Sequence, residues 1–115
     1  MTVIYRVENA AGQEPYKSFT VGWCGYGTSE DNLWISTTHN DPHHPPPSED
    51  GLGFIKGGDR CGFRDIQQLE AWFTDDELVK MFDNGFRIVE LNVEHVAYGG
   101  RQVTFSGVKS SQVFL

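Results

Sequence analysis

Basic residues are scarce in this chain. Lysine and arginine together number 9 against 16 aspartates and glutamates, leaving a formal net charge of −7. The few cations are scattered, so the clustered charge that a phosphate backbone requires is missing, and no nucleic-acid partner is expected. No apolar run approaches the roughly 20 residues that cross a bilayer, so no membrane association is expected. The opening Met-Thr-Val-Ile-Tyr has neither the charged region nor the apolar stretch of a secretory signal. A cytoplasmic location follows as the expectation. Cysteine is nearly absent, with Cys24 and Cys61 alone. Cytoplasmic thiols stay reduced, so a Cys24–Cys61 bridge is not expected and Cys61 reads as a buried structural thiol. Without a Cys-x-x-Cys pair there is no zinc ribbon and no thioredoxin-type redox centre. The Gly-rich phosphate loops, the Gly-x-Ser-x-Gly elbow and His-Glu-x-x-His are missing as well, which removes the common nucleotide, hydrolase and zinc-protease readings.

Aromatic residues are plentiful: 8 Phe, 4 Tyr and 3 Trp in 115 residues. Rings carry much apolar area each, so they compensate for a polar average and can build one core. The chain reads as a single α+β domain over residues 1–115. Its expected frame is an antiparallel sheet of four or five strands, with two short consecutive helices packed on one face. Val3 to Val7 is β-branched and aromatic and reads as a strand, with Val3, Tyr5 and Val7 on one face. Ser18–Trp23 and Leu33–Thr38 read as further strands. Residues 39–59 form an irregular His- and Pro-rich loop, since three consecutive prolines forbid a helix.

The sharpest local signals follow. Asp65 stands before Ile66-Gln67-Gln68-Leu69 as a helix cap, with Gln68 placed to complete a capping box. Thr74 and Glu77 repeat the device, and Phe73 and Leu78 occupy the two positions of a hydrophobic staple. Two helices meeting at Thr74 are therefore predicted, the second stopped by Asn84-Gly85. Phe86 to Val93 carries apolar residues on both faces and reads as a central strand. Tyr98-Gly99-Gly100 is a turn, and Gln102 to Phe105 is the returning strand. The expected core sets Ile66, Leu69, Trp72, Phe73, Leu78 and Phe82 against Val3, Tyr5, Val7, Ile88, Val89, Leu91, Val103 and Phe105.

Candidate chemistry concentrates in the loop. His39, Asp41, His43, His44, Glu49 and Asp50 are metal-ligand types, but the prolines hold them extended and no second ligand group of recognisable spacing exists, so no metal site is assigned. Glu90 and Glu94 fall on one side of a strand and read as paired carboxylates or, equally well, as solvent-facing strand residues.

The succession Tyr5-Arg6-Val7-Glu8, Pro15-Tyr16-Lys17-Ser18, Glu49-Asp50-Gly51-Leu52, Arg60-Cys61-Gly62-Phe63, Gln68-Leu69-x-x-Trp72-Phe73, Gly85-Phe86-x-Ile88 and Gln102-Val103-x-Phe105 resembles a family of short phage and prophage proteins. That resemblance implies a phage origin and an accessory role. The working reading is a binding protein directed at a host protein, with inhibition of host defence as its effect and no cofactor. Its contact residues would be His43, His44, Pro46, Glu49, Asp50 and Phe54. The architecture is also similar, more loosely, to small ADP-ribosyltransferase-like domains. This similarity implies an NAD-using enzyme in which Arg6 fixes the site or pairs a phosphate, Ser36 with Thr37 holds the ribose, and Gln102 or Glu90 stands beside it.

Overall fold

The computed structural model describes residues 2–15, 43–45, 47–53 and 59–115. The first strand, β1 (Thr2–Glu8), is followed by a short 3-10 turn at Pro47–Glu49. Then come β2 (Arg60–Gly62), α1 (Ile66–Trp72), α2 (Asp75–Asp83), β3 (Arg87–Tyr98) and β4 (Val103–Val113). The expected strands at Ser18–Trp23 and Leu33–Thr38 lie outside the described residues.

The four strands form one antiparallel sheet in the order β1-β3-β4-β2. Its two outer strands also meet. Tyr5 and Phe63 exchange main-chain hydrogen bonds of 2.8 and 2.7 Å, a single bridge that curls one edge of the sheet towards the other.

The helix signals act as the sequence implies. The Asp65 carboxylate accepts from the Gln68 N–H at 2.8 Å. The return bond from Gln68 lands one residue early: its Oε1 accepts from the Arg64 N–H at 3.0 Å. At Thr74 the box is complete, since its hydroxyl accepts from the Glu77 N–H and the Glu77 carboxylate accepts from the Thr74 N–H. Gly85, with φ at 87°, ends α2.

Two apolar clusters flank the sheet. Beneath the helices, Val7, Phe63, Leu69, Trp72, Phe73, Leu78, Met81, Phe86 and Ile88 are buried together, with Tyr5, Ile66 and Phe82 packed against them. On the other side lie Ile4, Val89, Leu91, Val93, Val103 and Phe105. The expected core is therefore split rather than single. Register explains the split. Val7 stands opposite Ile88, facing the helices, whereas Ile4 stands opposite Leu91 and faces away. Val3, expected in the core, is 39% exposed.

β4 extends well beyond Phe105. Its second half pairs with the start of β3 after a register shift at Asn92/Val93. Gly107, with φ at 73°, sits in this irregular stretch, and a Cβ there would meet the Glu94 Cβ at 2.9 Å. Glycine is needed on both counts.

Cys61 is disulfide-bonded. This overturns the expectation of reduced thiols: the residue is buried, but not as a thiol. The sequence's other cysteine, Cys24, lies outside the described residues. No helix among the described residues is long and apolar enough to cross a membrane.

Candidate functional site

The described part of the His- and Pro-rich loop is anchored to the domain at two points. At the first, the Asp50 carboxylate accepts from the main-chain N–H groups of Arg101 and Gln102 at 2.8 and 3.1 Å, and its carbonyl accepts from Gly100 at 3.3 Å. Gln102 returns the contact, its Nε2 donating to the Pro45 carbonyl at 2.8 Å. The turn between β3 and β4 is thus closed over Asp50. The approach is tight: a Cβ on Gly99 would stand 2.7 Å from Asp50 Oδ2. At the second point, His44 packs edge-on against the Trp72 ring with centroids 5.0 Å apart. Its Nε2 lies 2.6 Å from the Trp72 carbonyl. A carbonyl only accepts, so Nε2 is the nitrogen that carries the hydrogen.

Of the residues expected to contact a partner, His43 and Glu49 are exposed, while His44 and Asp50 are half-buried and hold the loop in place. Pro46 and Phe54 lie outside the described residues. Among the described residues no three metal-ligating side chains converge.

Where the loop meets α1 and the β3–β4 turn there is a surface pocket of about 180 Å³. His43, Arg64 and Arg101 line it, with Gln68 and Trp72. Gln68 is only 6% exposed. Its Oε1 is taken by the Arg64 N–H, which sets the amide's orientation, and its Nε2 has no hydrogen-bond partner among the described residues. Arg64 forms an exposed ion pair with Asp65 at 3.3 Å. Arg101 has no ion pair among the described residues, and its main-chain N–H is the group that Asp50 holds. Sequence reasoning passed over this pocket. Gln68 reads as a capping residue, and Arg101 falls between the Tyr98-Gly99-Gly100 turn and the returning strand with no role of its own; only folding brings them together.

The residues implied by the transferase similarity are distributed differently. Arg6 and Gln102 line one small cavity with Glu14, Pro15, Phe63 and Trp72. That cavity measures about 20 Å³, against the roughly 10–15 Å³ that one water needs. Arg6 is 2% exposed. Its NH2 lies 3.4 Å from Glu14, its Nε lies 3.2 Å from Glu8 without hydrogen-bond geometry, and its guanidinium sits 5.5 Å from the Phe105 ring centre. Burial lowers the guanidinium's pKa from its ordinary value, and Glu14 and then Glu8 oppose that shift. Glu90 is elsewhere. It stands opposite Tyr5 in the register, one position from the Arg6–Val89 pair, and so lies on the other face of the sheet. There it accepts from the Tyr5 hydroxyl at 3.0 Å and from Gln112 Nε2 at 2.6 Å. Ser36 and Thr37 lie outside the described residues.

No match is found among curated proteins or among solved structures. A family model described as Bacteriophage T4 Y00F protein matches residues 1–114. The matched span contains every segment on which the resemblance to short phage proteins rests, from Tyr5-Arg6 to Gln102-Val103. The chain belongs to the bacteriophage T4 Y00F protein family.

Proposed function

We propose that this chain is a phage accessory protein that acts by binding a protein of the host cell, in the host cytoplasm, and that the outcome is inhibition of a host defence. The observation that carries the reading is the convergence of the anchored loop, α1 and the β3–β4 turn on one polar concave face. A loop segment anchored at two points loses less entropy when it binds, which suits it to recognition. Within this reading His43 and Glu49 make contact, together with Pro46 and Phe54, while His44 and Asp50 hold the loop in place. No cofactor is required. The test is capture of host proteins on the tagged full chain, followed by mass spectrometry. His43→Ala combined with Glu49→Gln is expected to weaken capture of a specific partner at least about tenfold. Unchanged capture would place the contact surface elsewhere.

The second reading is an NAD-using transferase. It is favoured by one observation, that Arg6 and Gln102 line the same cavity. It requires that cavity to open widely, and the pairing of Arg6 with Glu14 opposes this. A ligand bound only by the folded state must raise the melting temperature. A rise with NAD supports the enzyme, and none at saturating NAD removes it.

A further inference from the structure

The wall of the pocket described above includes a buried amide whose donor is unspent among the described residues. Gln68 is more than nine-tenths buried, and its Oε1 is engaged by the Arg64 N–H, yet its Nε2 has no hydrogen-bond partner among the described residues. A buried donor left unpaired is costly, so an acceptor that reaches it recovers that loss. The other groups around it indicate which acceptor. His43, Arg64 and Arg101 border the same space. They bring together three of the chain's few basic or imidazole side chains in a molecule of net charge −7. Trp72 adds an apolar wall.

We infer that this pocket receives a single carboxylate, the side chain of an aspartate or glutamate on the partner protein, with Gln68 Nε2 donating to one oxygen and Arg101 pairing the charge. The inference rests on the binding reading above and names its partner's chemistry. A monoanion fits better than a phosphate dianion. The surrounding molecule repels negative charge, and the repulsion grows with each charge brought in. A neutral amide with an arginine suits the two oxygens of a planar carboxylate. By the same argument the partner's flanking sequence is basic rather than acidic, so that the rest of the contact matches the acidic surface.

The test uses nitrogen-15-labelled full-length protein. It is titrated with a blocked peptide carrying one central glutamate between lysines, with the same peptide carrying glutamine instead, and with inorganic phosphate. The glutamate peptide is expected to shift the Gln68 side-chain amide resonances and to bind at least about tenfold more tightly than the glutamine peptide. Gln68→Glu keeps the oxygen that accepts from Arg64 and replaces the donor with a second oxygen. It is expected to abolish the preference for glutamate. Arg101→Ala keeps the main-chain contact with Asp50 and is expected to weaken the glutamate peptide about tenfold. It serves on its own if the Gln68 variant fails to fold. Equal binding of the two peptides, or wild-type affinity in Arg101→Ala, overturns the inference. Tighter binding of phosphate than of the glutamate peptide, with the same resonances shifted, also overturns it. A separate arm distinguishes the two readings. If the wild type captures a host protein and Arg101→Ala captures it equally, the pocket assignment fails and the binding reading stands. If the peptides behave as expected and no host protein is captured specifically, the pocket stands and the binding reading fails.

Discussion

Arg6 shows how a residue's chemistry depends on what surrounds it. In the sequence it is one cation in an acidic chain, and the transferase similarity gives it a catalytic role. In the folded protein it is enclosed, with Glu14 and Glu8 beside it and its guanidinium carbon 5.5 Å from the Phe105 ring centre. A buried charge is tolerated only while its partner remains. Arg6→Met removes the cation that faces the buried Glu14 carboxylate and that of Glu8, and is expected to cost about 3–5 kcal/mol in urea unfolding. Adding Glu14→Gln removes the buried charge that faced Arg6, so the double variant is expected to be more stable than Arg6→Met alone. A double variant no better than the single one would show that the two side chains do not act as a pair. Gln68 carries the opposite lesson. Its position three residues after Asp65 is legible as a capping signal, and the cap forms. That its amide nitrogen lacks a partner among the described residues depends on neighbours distant in the chain, which no local pattern encodes.

The helices are the elements most legible in the sequence, because capping is local chemistry. Asp65, Thr74, Glu77 and Gly85 lie within a few residues of the groups they serve, so spacing alone predicts two helices meeting at Thr74. Thr74→Ala removes the hydroxyl that accepts from the Glu77 N–H and leaves the residue-74 N–H donating to the Glu77 carboxylate. It is expected to cost about 1 kcal/mol by chemical denaturation with no change of fold. A cost indistinguishable from zero would mean that packing of Leu78 and Met81, not the cap, sets where α2 begins. The strands were less legible. β3 declares itself by apolar residues on both faces. β2 has three residues and no alternation to read, and its existence depends on β4 lying beside it. The second half of β4 is polar and exposed, so it carries no burial signal. It is a strand because its main chain pairs with β3 beyond the irregularity at Gly107.

At the scale of the whole molecule, the disulfide at Cys61 bears on both stability and place of action. A bridge stabilises chiefly by restricting the unfolded chain, typically by about 2–4 kcal/mol. Reduction, or Cys61→Ser, is expected to lower stability by that order and to shift the thermal transition downward. The bacterial cytoplasm keeps most thiols reduced. The proposed cytoplasmic action therefore requires the reduced protein to stay folded at growth temperature. Retention of its circular dichroism with reductant present is the expected result, and loss of the folded signal would direct the search to an oxidising compartment instead.

The sequence by itself determined the α+β class, the two capped helices, the central strand and the phage family, since each depends on residues near one another or on their order. Only the tertiary structure decided that the core is two clusters rather than one, and that β1 meets β2. It also decided that Asp50 anchors its loop to the Gly99–Gln102 turn and that Arg6 is enclosed while Glu90 lies across the sheet. The scarcity of cations, legible from the start, gained its meaning there too: folding gathers Arg64 and Arg101 beside the Gln68 amide, whose nitrogen has no partner among the described residues. The physical reason is common to all of these. Capping and alternation are short-range, whereas register, burial and the pairing of polar groups depend on chain segments that meet only when the sheet has formed.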